Sequence, residues 1–262
     1  MAGLKSRCSR DRFGFRDGDR GTHTSRTIMF AELQTLLAAR PATSRRSEYV
    51  QAIIEDNVLA KRTGSTRGLS AQRLTELYGL DQGIPLFRAF RRFWDAATDG
   101  RPLLAFSCAY ARDPLLRLTS PAVLPAGLGE PVHAADLETA VARAAPGRFN
   151  RRILNKIARN ARSSWTQAGH LAGRVEKVRA RPIVTPTNAA FAMFLGYLEG
   201  FRAQRLLATP WAALLDCDPD RILQFVAAAS RRGLLDFLCA GGLIEIRFGG
   251  LLTREEQGWT HE

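Results

Sequence analysis

Apolar residues recur every three or four positions along most of the chain, which is the period of an amphipathic helix. This pattern predicts helices at 31–39, 47–61, 85–97, 102–112, 189–198 and 220–232. A further helix is predicted to begin at Ser70, a residue type that often caps a helix N-terminus. The chain is therefore predicted to be mainly α, as a multi-helical globular bundle.

Two short apolar runs near the C-terminus interrupt the helical period. They lie within 234–248 on either side of a Cys-Ala-Gly-Gly turn, and this arrangement predicts one small C-terminal β-hairpin. Because the hairpin follows a helix, the end of the chain resembles a winged helix.

Changes in composition along the chain predict four segments. Residues 1–26 are rich in Arg, Gly, Ser and Asp, which predicts a disordered basic tail. Residues 119–134 carry three prolines and two glycines, which is typical of a linker. On either side we predict an N-terminal helical subdomain at 27–118 and a C-terminal helical subdomain at 135–262.

Positive charge is concentrated in one part of the sequence. The chain has a net charge of +13, and residues 148–181 contain ten Arg or Lys against one acid. On a helix, six of these cations fall within an arc of roughly 140°, and apolar residues occupy the opposite arc. The six are Arg148, Arg151, Arg152, Lys156, Arg159 and Arg162. This segment of helix carries no carboxylate that could neutralise them, so the pattern favours an external anion such as a phosphate backbone.

More cations extend this candidate surface. A second helix is predicted at 169–179, which makes 148–181 a basic helix pair and adds three candidate phosphate contacts, Arg174, Lys177 and Arg179. A second strip is predicted at Lys61, Arg62 and Arg67. The glycine-bearing segment 64–68 is either a flexible connection or a phosphate-contacting loop. Asn155 and Asn160 flank the basic face and are candidates for contacts to base edges.

No catalytic or metal-binding pattern stands out. The four cysteines lack zinc-site spacing, and no Walker, H-E-x-x-H or G-x-S-x-G pattern occurs. His170 follows the hydroxyl residues Ser163 and Ser164, but no carboxylate is near in sequence to orient it, so we favour a tight inter-helix junction. Trp165 is expected to fill the core rather than stack on a base. We expect a protein that is not an enzyme, with no cofactor, metal or small-molecule substrate.

The longest apolar runs have about half the roughly 20 residues that a membrane span needs. The N-terminus lacks the apolar segment of a signal peptide. Widely spaced cysteines fit a reducing compartment. We therefore expect a cytoplasmic protein without a membrane partner.

Several stretches resemble the BrxA family, a component of the BREX bacteriophage-exclusion systems. They lie at 57–63, 72–81, 85–88 and 161–171, together with Gly173, Arg174, Lys177 and Arg179. The likeness covers roughly 27–248, and its most specific part is the Ser-Ser-Trp-Thr-Gln run that begins at Ser163. It implies a mostly helical protein that binds DNA, has no catalytic centre and acts beside other defence proteins. Residues 1–26 depart from the family pattern.

The sequence thus predicts a non-catalytic accessory protein that binds double-stranded DNA. Contacts through the basic helix face would position the duplex and give little sequence readout. Two alternatives remain open at this point: an RNA-binding protein, and an interaction subunit whose basic face docks an acidic protein. A solvated basic face without a partner is the simplest competing interpretation.

Overall fold

The computed structural model describes residues 7–241 and 243–260, without the side chains of residues 7–9. Within this part, 58% helix and two small antiparallel sheets confirm the predicted mainly α fold. The helices are α1 (Arg7–Phe13), α2 (Phe30–Ala39), α3 (Arg46–Ile54), α4 (Gly64–Tyr78), α5 (Pro85–Ala96), α6 (Arg101–Arg112), α7 (Pro114–Arg117), α8 (Ser120–Val123), α9 (Ala134–Ala144), α10 (Arg151–Ala168), α11 (Pro186–Leu198), α12 (Pro210–Ala213), α13 (Pro219–Arg231) and α14 (Arg254–Trp259). Short 3₁₀ turns lie at Thr22–Thr24 and Ala203–Ala208.

Both sheets are two-stranded hairpins. β1 (Leu171–Ala172) pairs with β2 (Val178–Arg179), and β3 (Asp236–Ala240) pairs with β4 (Leu243–Arg247). The second pair is the predicted C-terminal hairpin, and its inner face buries Ile244 and Ile246. The likeness to a winged helix stays a prediction.

Helices α5, α6 and α11 form the centre of the core. α6 is buried from Leu103 to Arg112 because almost every residue of that run is small or apolar. α5 and α11 pack beside it through aromatic rings, with Phe191 5.6 Å from Phe93 and 6.0 Å from Phe90 between ring centroids. Such aromatic contacts contribute beyond their buried area.

Capping residues fix where helix α10 begins and ends. The Asn150 side chain accepts a hydrogen bond from the backbone N–H of Ile153, which satisfies one of the free donors of the first turn. At the other end Gly169 adopts a φ of 92°, a left-handed conformation that glycine tolerates best. The predicted basic helix thus runs for 18 residues with defined ends.

The prediction of a disordered tail is wrong for residues 7–26. Phe13 and Phe15 are buried in the main core, and the ring of Phe15 lies 5.5 Å from that of Trp211. Arg112 donates a hydrogen bond to the carbonyl of Gly14. These two phenylalanines and the hydrogen bond from Arg112 attach the segment to the helices. Residues 1–6 lie outside the described residues.

The predicted linker at 119–134 does not separate two cores. It contains α8 and the buried residues Val123 and Val132. A single hydrophobic cluster includes residues before and after this segment, from Phe13 to Leu252. The predicted subdomains 27–118 and 135–262 therefore share one core, because the apolar side chains of this segment pack against it while its prolines and glycines are exposed.

Four local predictions are also corrected. The segment 64–68 is the first part of α4, capped by Thr63, so it is neither a flexible loop nor a free phosphate loop, and Ser70 lies inside that helix. α3 ends at Ile54 rather than near residue 61. The second helix of the basic pair does not form. Its residues make the β1–β2 hairpin instead, with Gly173 at a φ of 100° where the backbone turns.

His170 is buried beside α10 in an environment that holds it neutral. Its Nε2 lies 2.9 Å from the carbonyl oxygen of Leu214, and its ring packs on Trp165 and Phe106. Burial lowers the pKa of His170 to about 3, with nearby Arg179 lowering it further and the hydrogen bond to Leu214 opposing the shift.

This burial predicts a pH-dependent stability. Above the ordinary histidine pKa of about 6.5 both states are neutral there, but below it only the unfolded chain takes up the proton. The free energy of unfolding should therefore fall by about 1.4 kcal/mol per pH unit, from about pH 6.5 towards the folded-state pKa. Urea unfolding of His170→Gln should show a correspondingly shallower slope between pH 6 and 4.5. The exposed His133→Gln is the matched control, and equal slopes in wild type and His170→Gln would contradict the prediction.

Candidate nucleic-acid interface

α10 has one face in the protein and one in solvent. Ile157, Ala158, Ala161 and Trp165 are fully buried. The apolar residues of its first turns pack on a small cluster that contains Leu115 of α7 and Val141 of α9 (the partly buried members include Phe149, Ile153 and Leu154). The opposite side carries the predicted cations, so the amphipathic helix inferred from the sequence is present.

Four cations on this face are free. The side chains are exposed and make no hydrogen bond or ion pair with the part of the chain that the structure describes: Arg151, Arg152, Lys156 and Arg159. Arg152, Lys156 and Arg159 lie within roughly 60° of one another on the helical wheel. We call these three residues the open strip.

The flanks of α10 bound the open strip on both sides. On one side Asn160 donates a hydrogen bond of 2.9 Å to the carbonyl of His23, so the N-terminal segment lies there. On the other side Asn155 donates 2.9 Å to Glu138 of α9. Both asparagines are thus engaged within the protein and are poorly placed to read base edges.

The two cations at the ends of the predicted face have partners or partial burial. Arg148 Nε lies 2.7 Å from Asp19, and its guanidinium lies 5.7 Å from the ring of Phe149. Arg162 is half-buried. Burial lowers its pKa, and the charge of Asp136 opposes that shift. These two side chains border the open strip rather than belong to it.

The next three candidate residues belong to the β1–β2 hairpin or its turn, and they differ in burial and in their partners. Arg179 is only 3% exposed and pairs with Asp216 at 2.9 Å, so it is a structural residue and the prediction of a phosphate contact there is wrong. Lys177 donates 2.6 Å to Thr166 of α10, which places its charge beside the basic face. Burial and then Arg162 lower the pKa of Lys177. Arg174 is exposed in the turn of the hairpin.

Two of the three residues of the second predicted strip interact with other groups of the protein. Lys61 Nζ lies 3.1 Å from Glu32, and Arg67 donates a hydrogen bond of 2.7 Å to the carbonyl of Ile54. Arg62 is exposed. Within residues 7–241 and 243–260, no hydrogen bond or ion pair joins these residues to α10.

A buried polar network that sequence reasoning missed attaches the N-terminal segment to α10. His23 Nδ1 lies 2.7 Å from Asp113 Oδ2, and His23 Nε2 lies 2.8 Å from Ser164 Oγ. Burial alone would raise the pKa of Asp113, but His23 and backbone N–H groups outweigh it, so that pKa is lowered. No sequence signal joins residues 23, 113 and 164, because they lie at least 50 positions apart.

The order Asp–His–Ser resembles a hydrolase triad, yet the geometry here fits a structural role. All three side chains are at most 1% exposed. Ser164 Oγ also accepts a 3.0 Å hydrogen bond from the backbone of Ile28 and lies 3.0 Å from the carbonyl oxygen of Asn160. A nucleophile needs access to its substrate as well as a base, and this hydroxyl is enclosed on every side.

The position of Trp165 agrees with the sequence prediction. Trp165 is fully buried and donates a hydrogen bond of 2.8 Å to Thr119, so it fills the core as expected.

No helix among the described residues is long and apolar enough to span a membrane. The described part of the chain also contains no group of three or more His, Cys, Asp or Glu side chains placed to hold a metal ion. Neither a scan against protein-family models nor a search of curated proteins finds a match.

The buried network should carry a large share of local stability. Asp113→Ala removes the partner of His23 and the cap that accepts from the N–H groups of Leu115 and Leu116. Leaving a buried hydrogen-bond donor without its partner typically costs about 1–3 kcal/mol. Urea unfolding should show a loss of this size for Asp113→Ala and a loss near zero for the exposed Asp220→Ala. Similar small losses for both variants would refute the assignment.

Proposed function

We propose that this protein binds double-stranded DNA through the open strip of α10, without chemistry of its own. The observation that supports this proposal most directly is that Arg152, Lys156 and Arg159 are exposed, adjacent and unpaired within the described chain. Like charges held this close repel one another unless an anion lies against them. A phosphate backbone is a regular row of such anions.

The spacing of the strip suits a row of phosphates. A helix rises about 1.5 Å per residue, so Arg152, Lys156 and Arg159 span about 10 Å along the axis of α10. Phosphates of one strand follow at about 3.4 Å along the duplex axis, so the strip can reach several of them. Lys177 and Arg174 extend this positive surface beyond the C-terminal half of α10.

Base readout is not part of this proposal. Asn160 and Asn155 are the amides closest to the strip, and both donate to acceptors within the protein. Phosphate contacts fix register and orientation but carry no sequence information. We therefore expect similar affinity for unrelated duplex sequences.

The biological setting rests on the BrxA resemblance alone. It supports a cytoplasmic accessory role beside other proteins of a BREX-type phage-defence system. RNA is the main competing ligand, because a basic helix face also suits an A-form backbone. Competition between the duplex and an RNA hairpin of equal length separates the two.

The proposal is tested by the salt dependence of duplex binding. Fluorescence anisotropy with a 20–30 bp duplex (on the order of two to three turns) should give a steep negative slope of log affinity against log salt. The Arg152→Ala, Lys156→Ala, Arg159→Ala triple variant should bind more weakly and lose about 0.9 of slope for each phosphate contact removed.

A matched control removes the same charge elsewhere. The triple variant Arg231→Ala, Arg232→Ala, Arg254→Ala lowers the net charge equally and changes exposed arginines of α13 and α14. It should keep nearly the wild-type slope. Equal losses in both triple variants would mean that net charge, not the open strip, drives binding. No binding by wild type at low salt would end the DNA proposal.

A further inference from the structure

A second concentration of arginines surrounds a pocket at the N-terminal end of the basic surface. The pocket has a volume of about 360 Å³, in the range of small-ligand sites. Its charged residues come from the N-terminal segment, from α4 and from the residue just before Phe149. They are Arg16, Asp19, Arg20, Arg73, Glu76 and Arg148.

The charge balance of this pocket favours an anion. Four arginines face two carboxylates, so the lining has an excess of two positive charges. Both carboxylates are already engaged. Asp19 pairs with Arg148, and Glu76 pairs with Arg73 at 2.6 Å and also accepts from Thr22 at 3.0 Å. Because each carboxylate already pairs with one arginine, two of the four arginine charges are not neutralised within the pocket.

Two arginines that line the pocket have N–H donors without a partner among the described residues. Arg20 is exposed and makes no hydrogen bond or ion pair with the described residues. Arg73 Nε is buried and has no hydrogen-bond partner within that same part of the chain. A buried donor without a partner is costly, and an arginine fork is well matched to phosphate oxygens.

The N-terminal segment that forms half of the pocket is anchored to the rest of the protein through residues 21–23. The buried network holds His23 against α7 and α10, and Thr22 is tied to Glu76. Gly21 packs so closely that an added Cβ would lie 2.1 Å from Asp113 Oδ1. A preorganised site loses little entropy when it binds its ligand.

We infer that this pocket binds a phosphate group of the nucleic acid that lies along the open strip. Arg148 lines the pocket and lies three residues before the first residue of α10, the helix that carries the strip, so the two positive surfaces adjoin. This inference rests on the proposed function and extends it, because it adds a discrete phosphate site made by the N-terminal segment.

The test compares single variants in the duplex-binding assay. Arg20→Ala should bind more weakly and lose about one unit of salt slope, whereas the exposed control Arg231→Ala should behave as wild type. Arg20→Glu should weaken binding further. Because Arg20 has no partner in the described chain, the fold should be unaffected, and urea unfolding checks this.

Each outcome distinguishes the two proposals. If wild type binds DNA and Arg20→Ala matches Arg231→Ala, the pocket inference is overturned while the open strip stands. A second assay measures Tm with inorganic pyrophosphate at constant ionic strength. A rise that Arg20→Ala abolishes, in a protein that does not bind DNA, would identify a free phosphate compound as the ligand and overturn the nucleic-acid assignment. If the protein neither binds DNA nor shows a rise in Tm with pyrophosphate, both proposals are overturned.

Discussion

The buried contact of His23 with Asp113 and Ser164 is the constraint on which the candidate interface depends. It joins three parts of the chain far apart in sequence, the N-terminal segment, the start of α7 and the C-terminal part of α10. Desolvated polar groups are tolerated only when their hydrogen bonds are made, so this network is satisfied in one arrangement of the three parts. That arrangement places the N-terminal arginines beside α10.

The arginine-rich composition becomes informative only once the engaged side chains are set aside. Arg112 is 8% exposed and reaches the carbonyl of Gly14, while Arg117 donates to the carbonyls of Tyr110 and Ala111 and pairs with Asp17. Such arginines act as long multidentate donors that hold loops to helices. The free cations of α10 differ from them because they make no such contact with the described residues.

Features set by local sequence pattern can be predicted from the sequence, whereas features set by contacts between distant residues cannot. α10 and the C-terminal hairpin were predictable because period, caps and turn glycines all lie within one short stretch. The N-terminal segment was not, since its polar composition hides two phenylalanines and a histidine whose partners are distant in sequence. The β1–β2 hairpin was mistaken for a helix because Leu171, Val175 and Val178 fit a helical period, although Val175 is 88% exposed.

The surroundings of α10 argue for a narrow binding track rather than a broad basic patch. α9 contributes Asp136 and Glu138 along one flank, where they reduce the positive potential near Arg162 and Asn155. The N-terminal segment forms the other flank and adds Arg20 and Arg148 at one end. Since a duplex presents two rows of phosphates with a groove between them, a single cationic track with acidic groups along its α9 flank would, under the proposed function, favour contact with one row and a defined orientation of the bound strand.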